Sequence, residues 1–250
     1  MSGSMNENES IHTVPRAKRV LVPALAAAVI GAVLTHIVSI GHGFVDFDDD
    51  TIFLNNPLLK QDNLSTVWEI LSPDRANWRP LRDLSHWLDY LVHGQHPLWA
   101  HAHNLLLLAG CVWLFGKLLE SLGASPLIAA WAAFLGFIHP VQVETIGWVS
   151  GRKDLLACLC AFGALFAFQR MLRRDHPAAW SILGLLLTIL GIMAKGHVIV
   201  MPMLFIWLVV LYRQNHQSPV RRRSWITAIC LILISLIALD LVGRGGVLLP

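Results

Sequence analysis

Residues 20–40 read VLVPALAAAVIGAVLTHIVSI, twenty-one positions without a single charge. At about 1.5 Å per helical residue, such a run crosses the ~30 Å hydrocarbon core of a bilayer. A cleavable leader has an apolar stretch of only about 7–15 residues, so this run reads as a retained first span, although its alanine-rich centre also suits cleavage. It fixes how the rest of the chain is read. Working back, Arg16, Lys18 and Arg19 flank the run, and residues 1–15 are polar enough to be expected as a disordered tail.

Working forward, further apolar runs lie near 98–118, 125–140, 154–170, 178–194, 198–212 and 225–242. Several have only about 15–17 residues, at the short end for a span, so local bilayer thinning or partial re-entry is open. Hydrophobic residues make up 55% of the 250 residues and charged ones 14%, with mean hydropathy +0.58. A soluble domain carries roughly 25% charged residues, which excludes an ordinary water-soluble fold. The expected fold is an all-α polytopic membrane bundle of about seven spans, forming one membrane domain over residues 16–250. The net charge of +3 is not gathered on one surface with aromatic residues interleaved, so no nucleic-acid partner is expected. Cys111, Cys158, Cys160 and Cys230 all fall inside apolar runs, where cysteine acts as a small hydrophobe.

Short-loop charges set an expected orientation. A cytoplasmic N-terminus puts Arg16, Lys18, Arg19, Lys117, Arg170, Arg173, Arg174, Arg213 and Arg221–Arg223 inside. The opposite side keeps only Arg152, Lys153, Lys195 and Arg244 in its short loops. The long segment 41–97 then faces outward and carries two amphipathic pieces. Leu64, Val67, Trp68 and Leu71 form one stripe, with Thr66 to Glu69 resembling a capping box. Leu81, Leu84, Leu88 and Leu91 form the other, joined by Trp87 and Val92. Both suit the membrane interface, or packing against the spans.

Chemistry is expected on that outward side. Asp46, Asp48, Asp49 and Asp50 put four carboxylates within five positions just after the first span. This cluster reads equally as a solvated topology feature, a cation site or a reactive acid. His139-Pro140-Val141-Gln142-Val143-Glu144, followed by Gly151-Arg152-Lys153-Asp154, joins two later spans. Ionisable groups beside apolar runs are costly and turn towards the bundle interior, where Arg152 and a carboxylate would serve equally as a helix lock. A helix start at 151–153 would also attract an anion. Lys195 at the end of an apolar run is either a snorkelling lysine or a functional cation. The histidines, including His101 and His103, lack metal-site spacing, so no metal ligands are assigned.

Several of these stretches together resemble a known family. They are Phe44 to Asp50 with Asn55-Asn56-Pro57, Trp78-Arg79-Pro80-Leu81, His101 to Leu106, and His139 to Glu144 running into Trp148 to Asp154. Their order is similar to that in the transmembrane O-mannosyltransferases that target cadherins and their bacterial tetratricopeptide-repeat relatives, both of the type C glycosyltransferase fold. The resemblance covers roughly residues 40–212. It implies transfer of a sugar from a polyprenyl-phosphate donor in the membrane to an acceptor hydroxyl of a protein or glycan on the non-cytoplasmic side. It also implies a bacterial inner (plasma) membrane with the N-terminus in the cytoplasm. On this chain it implies Asp48 as base with Asp49 as partner, Arg152, Lys153 and Lys195 on the donor phosphate, and Arg79, His139, Glu144 and Asp154 in support. It requires no cofactor; the 46–50 carboxylates alone do not assemble the six or more oxygen ligands of a divalent cation. Two departures stand out: the family continues into further spans and repeats, and Gly196 follows Lys195 where an acidic residue is common. They favour an alternative in which the chain is a non-catalytic membrane module completed by a partner chain. A transporter ranks lower, because no pair of broken mid-membrane helices is evident.

Overall fold

A computed structural model describes residues 13–46, 48–73, 77–173, 176–216 and 222–244. Ten α-helices follow in order among the described residues. They are α1 (Thr13–His36), α2 (Ser65–Leu71), α3 (Pro80–His93), α4 (Pro97–Ser121), α5 (Pro126–Ile138), α6 (Gln142–Gly147), α7 (Arg152–Leu172), α8 (Pro177–Ala194), α9 (Met201–His216) and α10 (Arg222–Arg244). Six helical segments are long and apolar enough to cross a membrane, and α5 is a shorter seventh. The chain is an integral membrane protein built as an all-α bundle. The tail expected over 1–15 lies outside the described residues except for Thr13–Pro15, which already belong to α1.

Prolines and turn residues set the helix boundaries. Pro80, Pro97, Pro126 and Pro177 each occupy the first helical position, where the missing N–H costs nothing. Ser125 caps α5 by accepting the Ile128 N–H. The capping box expected at Thr66 is replaced by Asn63, whose Oδ1 accepts the Thr66 N–H at 3.1 Å. At the far end of α4, Gln169 and Arg173 both donate to the Ser121 carbonyl, so α7 satisfies a helix terminus that lipid would leave bare.

Two large apolar cores divide the bundle. One joins α1, α4, α5 and α7 through Leu25, Leu108, Ala133 and Leu155; the other joins α7 to α8, α9 and α10 through Phe168, Met201, Phe205 and Leu231. Helix α7 belongs to both. A third, smaller cluster of Phe53, Leu59, Ile70, Trp87, Ala100 and Val149 fastens the long 42–96 segment onto the starts of α4 and α7. Trp87 adds a hydrogen bond from its indole N–H to the Gln61 carbonyl at 2.7 Å.

Helix α3 is inverted relative to a soluble amphipathic helix. Arg82, Asp83, His86 and Asp89 are buried, whereas Leu88, Leu91 and Val92 are exposed. Burying four ionisable groups and presenting leucine outward is favourable only where the outside is apolar. Trp87, joined to the leucine stripe in the sequence, takes the second of the two places open to that stripe and is buried against the bundle.

Gly151 marks the tightest backbone approach. A Cβ there would stand 2.1 Å from the Thr145 carbonyl oxygen, a backbone atom that cannot step aside. Gly151→Ala is therefore expected to cost roughly 1–3 kcal/mol, as overpacking does elsewhere. Thermal unfolding in detergent would show this as a lowered midpoint; an unchanged midpoint would mean that α6 and the start of α7 are not held this closely.

Candidate active site

The sequence-expected residues divide into three groups by position. Asp48, Asp49, Arg79, Arg152, Lys153, Asp154 and Lys195 gather at one end of the bundle. His139 and Glu144 are exposed on the link between α5 and α7, with His139 Nδ1 accepting the Val141 N–H at 3.3 Å. Asp46 is exposed and Asp50 begins a π-helical turn, Asp50–Leu54.

The two central acids have different environments. Asp49 is fully buried. Its carboxylate accepts backbone N–H groups from Val45 at 3.1 Å, Val149 at 3.3 Å and Ser150 at 2.7 Å. These last two amides open the 3₁₀ turn Val149–Gly151 that leads into α7. The anion drawn to this helix start is thus the chain's own Asp49, which ties the first loop to the third long span. Asp48, next to it, keeps 38% of its side chain exposed and meets Lys153 Nζ at 2.7 Å.

The next residue of α7 is also paired. Asp154 receives the Lys195 ammonium from the extended residue that follows α8. Arg79, just before α3, lies within electrostatic reach of Asp154, Asp48 and Asp83. Burial, and then the neighbouring Arg82, push the Arg79 guanidinium below its ordinary value, and the three carboxylates oppose them. Four cations, Arg79, Arg82, Lys153 and Lys195, therefore stand among Asp48, Asp49, Asp83 and Asp154. Segments 46–50, 79–83, 149–154 and 195 contribute them, widely separated in sequence.

Arg152 faces the other way. It is 1% exposed. Nη1 lies 2.5 Å from Asp89, Nε donates to Asn104 Oδ1 at 3.0 Å, and Nη2 donates to the Ala100 carbonyl at 2.9 Å. The Ser85 carbonyl accepts a further bond at 3.3 Å. One guanidinium so clamps α3, α4 and α7, and Asn104 passes the connection on by donating to the Trp148 carbonyl at 2.8 Å. Asp89 also holds His103 Nδ1 at 2.6 Å. His86, beside this clamp, is fully buried and held well below the usual histidine range by burial and then by Arg152, Arg82 and Lys153.

Asp89, Asn104, Arg82 and Asp83 were not singled out in the sequence. The legible signal was the stripe Arg82, His86 and Asp89, spaced i, i+4 and i+7, opposite the leucines of the same helix. Among the described residues, no three His, Cys, Asp or Glu side chains converge as metal ligands.

Sequence comparison bears on this geometry. The chain is 29% identical over 174 residues to protein O-mannosyl-transferase Tmtc1 of Drosophila melanogaster, covering 66% of this chain and 20% of the relative. The relatives of this chain are protein O-mannosyl-transferases. Tmtc2 of the same fly is 33% identical over 130 residues, covering 50% of this chain and 14% of the relative. Human TMTC4 is 26% identical over 214 residues, covering 74% and 29% respectively. The chain thus spans between about a seventh and under a third of the length of these relatives. No protein-family model and no solved structure matches it.

Proposed function

We propose that the chain carries the reacting end of a membrane glycosyltransferase. In this reading it transfers a sugar from a polyprenyl-phosphate donor to an acceptor hydroxyl, on the membrane face where Asp48 lies. The single observation that supports it most is the meeting of Asp48 with Lys153, beside the Asp154–Lys195 pair and Arg79, at one end of an apolar bundle. The relatives' names supply the reaction class, with mannose the first sugar to test. A non-cytoplasmic Asp48 end is supported by the charges, because Lys117, Arg170, Arg173 and Arg213 belong to the opposite end of the helices. A bacterial inner membrane remains part of this proposal.

The chemistry follows from the charge balance. The C1–O bond to phosphate breaks, a C1–O bond to the acceptor forms, and polyprenyl phosphate departs already ionised. The acceptor's proton needs a base, and the departing phosphate needs cations that are positioned in advance. Lys153 and Lys195 are held here by carboxylates. A donor phosphate competes for both ammonium groups, and Lys153 drawn to it leaves Asp48 free to take the proton. Arg79 adds charge on the same side. Asp49 acts as a positioning residue through its three backbone bonds, and Asp154 does so through Lys195. Arg152 fits a structural clamp better than the phosphate contact expected from resemblance, since it already engages Asp89, Asn104 and the Ala100 and Ser85 carbonyls. His139 and Glu144 lie apart and take no step. No cofactor is invoked.

The test is transfer by the purified chain in proteoliposomes containing polyprenyl-phosphate mannose and a serine- or threonine-bearing peptide. Peptide mannosylation with matched release of polyprenyl phosphate is expected, and Lys195→Met should raise the KM for the lipid donor by at least tenfold, the loss of about 1.4 kcal/mol of binding. Saturable transfer with an unchanged donor KM in that variant would remove Lys195 from the phosphate. The same assay separates a second reading, a membrane module that works together with another chain. Absence of transfer by the chain alone, with transfer restored on adding such a chain, would select it.

A further inference from the structure

Helix α5 is too short for the membrane its neighbours cross. Its 13 residues rise about 20 Å, against a hydrocarbon core of about 30 Å. It packs beside α1, and both run in the same direction, so their levels can be compared. The Gly31 Cα faces the Phe134 ring so closely that an added Cβ would lie 2.8 Å from it. Higher up, the His36 Nε2–H donates to the Phe137 carbonyl at 3.0 Å. Leu127 and Trp131 share a groove with Ala24 and Ala27, which sets the start of α5 near the start of the apolar run of α1. Helix α5 therefore begins within about a turn of the start of that apolar run, and stops where α1 reaches His36.

Above that level α1 continues as the 3₁₀ turn Ile37–Gly41, five residues that add about 10 Å. Val38 on this turn is 68% exposed and apolar. At the same height the other helix has already ended. His139, Pro140 and then Glu144 are exposed there, interleaved with exposed Val141 and Val143. An ionisable side chain at hydrocarbon depth is costly, and a lipid bilayer avoids that cost by thinning. The buried His36, which donates to the Phe137 carbonyl near the end of α5, marks the level at which that helix stops.

We infer that the bilayer thins locally by about 10 Å at the α5–α6 corner, at the end of the bundle that carries Asp48, so that lipid headgroups descend to His139 and Glu144. The partner is the headgroup layer of the surrounding phospholipid. This assigns His139 and Glu144, which stand outside the charged cluster, a role at the membrane boundary. The inference does not rest on the transferase reading, and its readout is depth alone.

The test compares two positions at equal height. Val38→Cys and His139→Cys, each in a chain whose four native cysteines are alanine, would carry a nitroxide in dioleoyl-phosphatidylcholine nanodiscs. Collision with oxygen, which favours hydrocarbon, is compared with collision with a water-soluble nickel chelate. The expected result is a nickel-to-oxygen ratio severalfold higher at 139 than at 38, and convergence of the two in fourteen-carbon lipids, where the whole bilayer is thin. Equal ratios in the dioleoyl lipid, or a lower ratio at 139, would overturn the inference. Should the cysteine-free chain fail to fold, amide hydrogen exchange on the unaltered chain in the same nanodiscs takes its place. Rapid exchange over 139–141 beside protection over 37–40 supports thinning; protection of both segments overturns it.

Discussion

Asp48→Asn should lower sugar transfer by about 10²–10⁴-fold, the usual worth of a positioned general base, while leaving the unfolding midpoint in detergent nearly unchanged. The contrast with its neighbour gives this its force. Asp48 keeps a partly exposed carboxylate whose recorded side-chain partner is one lysine, so an isosteric amide removes proton affinity and little packing. Asp49→Ala should lower both activity and stability, because it strands the amides of Val45, Val149 and Ser150 in a buried site. Measuring kcat and melting midpoint on the same preparations separates the two. Full transfer by Asp48→Asn would remove Asp48 from the role of base. Equal thermal losses in both variants would show the pair to be a single structural element.

Asp89→Ala should destabilise the bundle by about 3–5 kcal/mol, the cost of leaving a buried charge without its partner. Arg152 is the largest fully buried side chain of the described chain, and Asp89 supplies its anion. The paired replacement Asp89→Leu with Arg152→Met should recover most of the loss, since an apolar pair of similar volume removes the uncompensated charge. Unfolding of the three proteins in mixed detergent and denaturant measures this. An Asp89→Ala protein as stable as the parent would mean that water or lipid reaches Arg152 and that the clamp contributes little. The double variant also keeps Lys153 and Asp154 on α7, so any activity it retains reports on the cluster and not on the clamp.

The spans were legible because each is a local property. Residues 20–40 announce a helix in lipid whatever surrounds them, and the prolines at 80, 97, 126 and 177 mark starts by their own stereochemistry. The amphipathic character of 80–93 was legible too, but its sense was not. Leucines opposite charges read as an interfacial helix, and only the surroundings show that the charges face inward against Arg152. Thr66 to Glu69 has the letters of a capping box, yet the side chain that accepts the Thr66 N–H is that of Asn63.

The candidate site was legible as a set of residue types and not as a set of roles. The four acids of 46–50 are nearly equivalent along the chain. Asp49 differs from Asp48 because amides a hundred residues later turn towards one and a lysine towards the other. Arg152 and Lys153 are adjacent cations, yet successive residues of a helix point about 100° apart, so one enters the bundle while the other faces the loop.

By itself, the sequence determined that this protein lives in a membrane, where its helices begin, and which charged segments had to find partners, since hydropathy, proline placement and the cost of bare charge in lipid all act residue by residue. The tertiary structure alone decided which charge meets which, that Arg152 is a clamp while Lys153 faces Asp48, and that α5 ends level with His36, below the 3₁₀ turn Ile37–Gly41. Those depend on distances between segments up to a hundred residues apart, which packing fixes and local composition does not encode.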